Sequence, residues 1–337
     1  MKRRQVLAVA ALVVGLPQAV AQSDWRRVAV PVYGPQDLVR GVIVHAHLPR
    51  AQAFAAAAAA LVEALRSGCG APARERWREA MLAWSGLNAV AIGPLLQRRS
   101  VRRIDFQPAR PALIEQAIVR APQNEADMER IGSAAKGFGA LEALLWRPTA
   151  DAAACAYALQ VALDIQREAD ALAAGFAALR EADDEALTAL FPEVLNQWIG
   201  GLEQLRLQGI ERPLIEARHR GRAVAFPRGL SGSDAAERAA RWSSLRALAV
   251  FEGGTVPAPG AGLVPWETFL RGRGLNPLAD RLRRSALQAD AALRAAGAAT
   301  PPLRTASRRL AELKTLAEAE LAPAVDVRVG FSDADGD

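Results

Sequence analysis

Histidine is scarce in this chain: His45, His47 and His219 are the only three among 337 residues. That scarcity speaks against zinc chemistry of the ordinary kind, and no His-Glu-x-x-His pair is present. His45 and His47 are two apart, so on a helix they point to different sides, as ordinary surface or core residues do. A serine or cysteine triad lacks its base for the same reason, and no Gly-x-Ser-x-Gly elbow occurs. Phosphate-cradling loops are missing too, because Gly137-Phe138-Gly139 has neither a third glycine nor a preceding strand. Aromatic residues are only 5% of the chain, and with abundant alanine this favours close-packed helices over a β-sandwich. Only Val28-Ala29-Val30-Pro31-Val32-Tyr33 hints at an extended segment.

What is present describes a globular protein. Apolar residues make up 51% and charged residues 23%, enough to bury a sizeable core and too apolar for disorder. Residues 1–21 read as a cleavable signal peptide. Lys2-Arg3-Arg4 is a basic start, Gln5 to Leu16 is apolar, and Ala19-Val20-Ala21 is a cleavage site before Gln22. The competing reading is a buried N-terminal helix. The apolar run falls short of the ~20 residues that span a bilayer, and no transmembrane span is expected elsewhere. Removing Lys2, Arg3 and Arg4 lowers the formal charge from +6 to +3, too little to imply nucleic acid as a partner. Arg98-Arg99-Ser100-Val101-Arg102-Arg103 is the densest basic cluster. It reads as a solvated loop, since no aromatic residue is interleaved.

Export bears on the two cysteines. In an oxidising compartment, Cys69 and Cys155 are expected to pair, two separate buried thiols being the alternative.

Helical signals run from end to end. The first long helix spans about Gln36 to Arg66, and Pro72 opens a second that puts Trp77 and Trp84 on one face. Asn124 and Asp127 predict the cap of a helix reaching Trp146. Ile165, Ala169, Leu172, Phe176 and Leu179 then form a bundle-type apolar stripe. In the second half, helices are expected from Leu187 to Leu207, from a capping box at Asp234–Glu237 to Phe251, from Leu278 to Leu293, and from Thr300-Pro301 to Leu321. Arg220–Ser233 and Gly253–Pro265 read as loops. The helices fall into two sets divided near Glu181–Glu185, giving an all-α fold with two helical domains, 22–182 and 183–337.

The most informative stretch is Gly137-Phe138-Gly139-Ala140-Leu141-Glu142-Ala143-Leu144-Leu145-Trp146. Two glycines inside an apparent helix each cost about 1 kcal/mol relative to alanine, which suggests a close approach of backbone there by a partner helix or a ligand. Glu142 lies among apolar residues, and a buried carboxylate needs an arginine, a hydrogen-bond donor or a metal. The residues alone favour a structural Glu–Arg pair over a metal site.

This stretch resembles the imelysin signature, Gly-x-His-x-x-Glu followed by an apolar run, with Gly139 where the histidine stands. Similar to that family are also His47-Leu48-Pro49, Trp77 to Trp84 leading into Gly93-Pro94, Arg103-Ile104-Asp105-Phe106, the arrangement of Cys69 and Cys155, and the ending Gly330 to Asp337. The resemblance implies two domains, each built on a four-helix bundle, in an exported protein of the bacterial envelope or periplasm. It offers two activities, a metallopeptidase and a periplasmic component of iron uptake. Glu142 is then the candidate metal ligand, with Gly137 and Gly139 as the motif backbone. Gly139 supplies no ligand, so an oxygen-ligated cation such as iron is the one cofactor this leaves open. The function so implied is a non-catalytic binding component of metal uptake, with other envelope or metal-uptake proteins as partners. An exported metallopeptidase is one alternative. A partner-binding envelope protein with a degenerate site is the other.

Overall fold

A computed structural model describes residues 25, 28–148, 151–297 and 300–330. The expected signal peptide and most of the Gly330–Asp337 ending lie outside the described residues. Among the described residues there are helices and turns and no strand, so the fold is all-α.

Local chemistry sets many of the boundaries. The helix expected from Gln36 to Arg66 is found as Pro35–Val42, a π turn Ile43–His47, and Leu48–Ser67, in unbroken succession. Asp151 and Asp183 accept the Ala154 and Ala186 amides at 2.7 and 2.8 Å, opening the helices Ala152–Leu179 and Asp184–Arg206. Such caps satisfy backbone donors that a helix start leaves free. Along Ala152–Leu179, Ile165, Ala169, Leu172 and Phe176 are fully buried as the stripe predicts, while Leu179 is half-buried.

Leu48–Ser67 packs along Ala71–Leu87 and Ala152–Leu179, and Gly137–Leu145 closes this group against the latter two. Asp184–Arg206, Asp234–Ala249, Asn276–Ala296 and Thr300–Leu316 touch one another in a second closed ring. Between the sets, Pro35–Val42 lies on Asp184–Arg206, and Ala71–Leu87 lies on Asp234–Ala249. The alanine-rich faces permit this closeness, and the buried apolar side chains form one continuous cluster. A domain boundary at 182/183 stays a proposal, for which proteolysis is the test.

Cys69, in the turn after Leu48–Ser67, is bonded to Cys155, with their Cα atoms 5.8 Å apart. That separation is ordinary for a disulfide. The bridge ties the turn to the first turns of Ala152–Leu179 across 86 residues of sequence.

Three expectations need correction. Asn124 does cap a helix, its side chain accepting the Asp127 amide at 3.1 Å, but that helix is only Glu125–Glu129. A turn at Arg130, an extended Gly132 and a 3-10 segment Ser133–Ala135 follow, and Gly137–Leu145 starts afresh. The break has a backbone cause: Gly137 has φ +76°, and a Cβ there would stand 2.4 Å from the Ile104 carbonyl oxygen. Second, Asp234 is not a cap. Ser233 holds that position without a side-chain bond, and the Asp234 carboxylate accepts the Arg228 amide at 2.8 Å instead. Third, the basic cluster is not a loop. Ser100–Ile104 is helical, and Arg98 and Arg103 reach the buried Glu168 carboxylate at 2.8 and 3.1 Å.

Candidate functional site

Gly137–Leu145 carries the signature residues into the interior. Its first turn is wedged under the Ile104 carbonyl, and the Phe138 carbonyl accepts the Trp77 indole N–H at 3.2 Å. Gly139 faces the chain between Phe106 and Ala109: a Cβ on it would meet the Ala109 Cβ at 3.2 Å and Arg228 Nη1 at 3.9 Å. The close approach suggested by the glycines is therefore real, and protein makes it.

Glu142 is buried, with 2% of its surface exposed. Its Oε1 accepts the Ser231 amide at 2.8 Å, a bond spanning 89 residues of sequence. Burial pushes its carboxyl above the ordinary carboxylate range, opposed by the Ser231 bonds and by the charge of Arg228.

Arg228 is the centre of the site. It is fully buried and paired with Asp105, and its Nε lies 3.5 Å from Glu237 Oε2. The second Asp105 oxygen accepts the Trp84 indole N–H at 2.9 Å. Beneath the guanidinium lies the Trp77 ring, 6.0 Å from its centroid. Burial alone would lower the Arg228 pKa, but Asp105, Glu237 and Glu142 raise it well above the usual range, so the side chain stays charged. Among the described residues, Nε and Nη1 nevertheless lack a hydrogen-bond acceptor.

The turn that carries Arg228 is docked through Ser231. Ser231 takes Glu142 with its amide and accepts Arg78 Nη2 with its carbonyl at 3.2 Å. The Arg78 guanidinium lies 5.0 Å from the centroid of the Trp146 ring. Part of the stretch read as a loop, Arg220–Ser233, is thus a clasp on the signature helix.

His47 is elsewhere. It ends the π turn, buried against Phe176 at 5.2 Å between ring centroids. Its Nε2 faces the Val90 carbonyl at 2.8 Å and its Nδ1 the Val42 carbonyl at 3.3 Å. Burial holds its pKa down to about 4, so the ring is neutral at pH 7. With only one ring proton, it donates to the nearer Val90 oxygen. His45 is exposed.

A divalent cation needs several convergent donors. Among the described residues no group of three or more His, Cys, Asp or Glu is so placed. Gly139 offers none, one Glu142 oxygen is already bonded, and a guanidinium holds the middle of the carboxylates. The residues present do not fit a metal bound at Glu142.

The reading from sequence picked out Gly137, Gly139 and Glu142, and these do share one helix. It missed Arg228, Ser231 and Glu237. The one available signal was an arginine between Phe226-Pro227 and Gly229-Leu230, a charge set in an apolar turn.

The family model Imelysin (Peptidase M75) matches residues 45–324. No curated protein matches. Among solved structures, an imelysin-like protein from Psychrobacter arcticum 273-4 superposes with TM-score 0.71 at 18% identity, covering 90% of this chain and 100% of that one. A protein from Parabacteroides distasonis ATCC 8503, described as an iron-regulated protein A precursor, gives TM-score 0.67 at 15% identity, with coverages of 84% and 93%.

Proposed function

The chain belongs to the imelysin family, and we propose from that premise that it is an exported, non-catalytic binding component of the cell envelope serving uptake of iron or another metal nutrient. The observation that carries the non-catalytic part is the state of the signature helix. Gly139 brings no ligand, and one Glu142 oxygen is bonded to the Ser231 amide. Metal-assisted hydrolysis of a peptide bond needs a held cation that activates a water, and among the described residues no group of three or more His, Cys, Asp or Glu is placed to hold one. Export is supported by the three-part N-terminal pattern. The iron-regulated description of the Parabacteroides protein supports the metal-nutrient context. Among the described residues no helix is long and apolar enough to cross a membrane. On this reading the protein acts through partner proteins of the envelope rather than through a metal on Glu142.

Two measurements test it. Osmotic-shock fractionation should release the protein with a mature N-terminus at Gln22, and a deletion strain should take up less radioactive iron under iron limitation. Retention of the protein in the cytoplasm, or unchanged uptake, would overturn the proposal. Casein hydrolysis that a chelator abolishes would replace it with the metallopeptidase reading.

A further inference from the structure

We infer that Arg228 is the resident cation of the signature site: its guanidinium takes the place where a histidine at 139 and a metal on Glu142 would meet, and it excludes both. The argument has three parts, and none depends on which nutrient the protein serves.

Space comes first. A Cβ at position 139 already lies 3.2 Å from the Ala109 Cβ and 3.9 Å from Arg228 Nη1. An imidazole reaches several ångströms beyond its Cβ, so its ring and the guanidinium compete for one volume in a close-packed interior.

Charge comes second. Asp105 pairs with Arg228 and Glu237 stands 3.5 Å from its Nε, while the charge of Glu142 favours the same cation, and buried carboxylates ordinarily call for one. The chain supplies that cation itself. A dication entering beside a fixed guanidinium would be repelled at low dielectric, where such terms are strong.

The third part is how the arginine is held. Asp105 is engaged on both oxygens, by Arg228 and by Trp84. The Arg228 amide is bonded to Asp234, and Ser231 is bonded to Glu142 and Arg78. Yet among the described residues Nη1 of this fully buried side chain has no acceptor, and Nε has only the long contact to Glu237. A guanidinium placed for its hydrogen bonds would use those donors, since leaving buried donors unmet is costly. Arg228 is placed for its charge.

The test is a four-variant titration with Zn²⁺, a cation suited to His and carboxylate ligands. Gly139→His, Arg228→Met, the double variant Gly139→His/Arg228→Met, and Gly139→His/Arg228→Lys are compared with wild type by calorimetry and thermal melting. Wild type and Gly139→His should show no Zn²⁺ binding that Glu142→Gln removes. The His/Met double variant should bind one Zn²⁺ at least tenfold tighter than Gly139→His, and adding Glu142→Gln should abolish the gain. The His/Lys variant, which keeps a positive charge, should behave like Gly139→His. Should the Met variants fail to fold alone, Zn²⁺ should restore the far-ultraviolet helix signal of the double variant. The inference is overturned if Gly139→His binds Zn²⁺ as tightly as the double variant. It is equally overturned if the double variant, folded or not, gains nothing from Zn²⁺. Either failure leaves the envelope-component reading standing, because that reading makes no use of a metal at Glu142.

Discussion

Trp84 and Asp105 are joined by an indole N–H bond of 2.9 Å to the carboxylate whose other oxygen pairs with Arg228. The bond fixes the carboxylate plane and connects the helix Ala71–Leu87 to a turn 123 residues beyond Asp105. An ion pair so enclosed contributes little net stability while intact and a large loss once one partner is removed.

Asp105→Asn should therefore cost about 3–5 kcal/mol, the usual penalty for breaking a buried pair. Urea unfolding followed by circular dichroism measures it. Glu142→Gln should differ, because glutamine keeps the oxygen that accepts from Ser231 and burial disfavours the Glu142 charge. Its stability should lie within about 1 kcal/mol of wild type or above it, as when both charge and desolvation are removed together. Since the folded-state pKa of Glu142 is raised, its penalty appears as pH rises through the carboxylate range, so any gain from the variant should grow from pH 4 upward. Equal losses from the two substitutions would show that Glu142, too, is an essential partner of Arg228.

His47 predicts an acid dependence. Its folded-state pKa lies at about 4, below the 6.5 of an unfolded chain. The unfolded state therefore binds the extra proton first, and stability is lost as pH falls from 6.5 toward 4. Two and a half pH units of such linkage amount to about 3 kcal/mol for a fully buried ring. His47→Gln should remove that part of the slope, read as the difference between the two unfolding-energy profiles. Parallel profiles would refute the assignment.

The Cys69–Cys155 bridge predicts no reactive thiol in unfolded, unreduced protein. Replacing both cysteines with serine should cost about 3–5 kcal/mol, as expected for a loop of this length. Two labelled thiols per chain in protein from the envelope would contradict the structure.

Proteolysis tests both the domain boundary and the clasp. Arg218, Arg220 and Arg222 and the Glu252–Thr255 segment are exposed, whereas Arg228, Ser231 and Ser233 are buried. Trypsin should cut first after Arg218–Arg222 and spare Arg228, because nicking needs accessible backbone. If 182/183 separates two domains, cutting after Arg180 should leave two fragments that each keep their helix signal. Early cleavage at Arg228 would mean that the turn is not docked.

Some of this was legible in sequence because its causes are local. The stripe from Ile165 to Phe176 reports which helix face is buried, and the same short reach of a carboxylate to nearby amides that places Asp151 and Asp183 at helix starts went unread there. The Asn124 cap was read correctly as a cap, and its helix length wrongly. The break before Gly137 is imposed by the Ile104 carbonyl, which no pattern near residue 137 records.

By itself, then, the sequence determined the long helices, most of their starts and the burial of Glu142 through periodicity, capping and composition acting over a few residues, and the cysteine pair through the inferred export. The shorter helices Pro111–Arg120, Arg212–Arg220 and Trp266–Gly272 went unread. Only the tertiary structure decided what Glu142 meets. Asp234 looked like a helix cap and serves a turn instead, because the Arg228 amide stands closer to its need. Arg228 lies in a turn with no periodicity, and its burial is set by carboxylates brought from 123 residues upstream and from the next helix. Long-range electrostatics of this kind leaves no local trace, since a buried charge is decided by the partners that surround it and not by its neighbours along the chain.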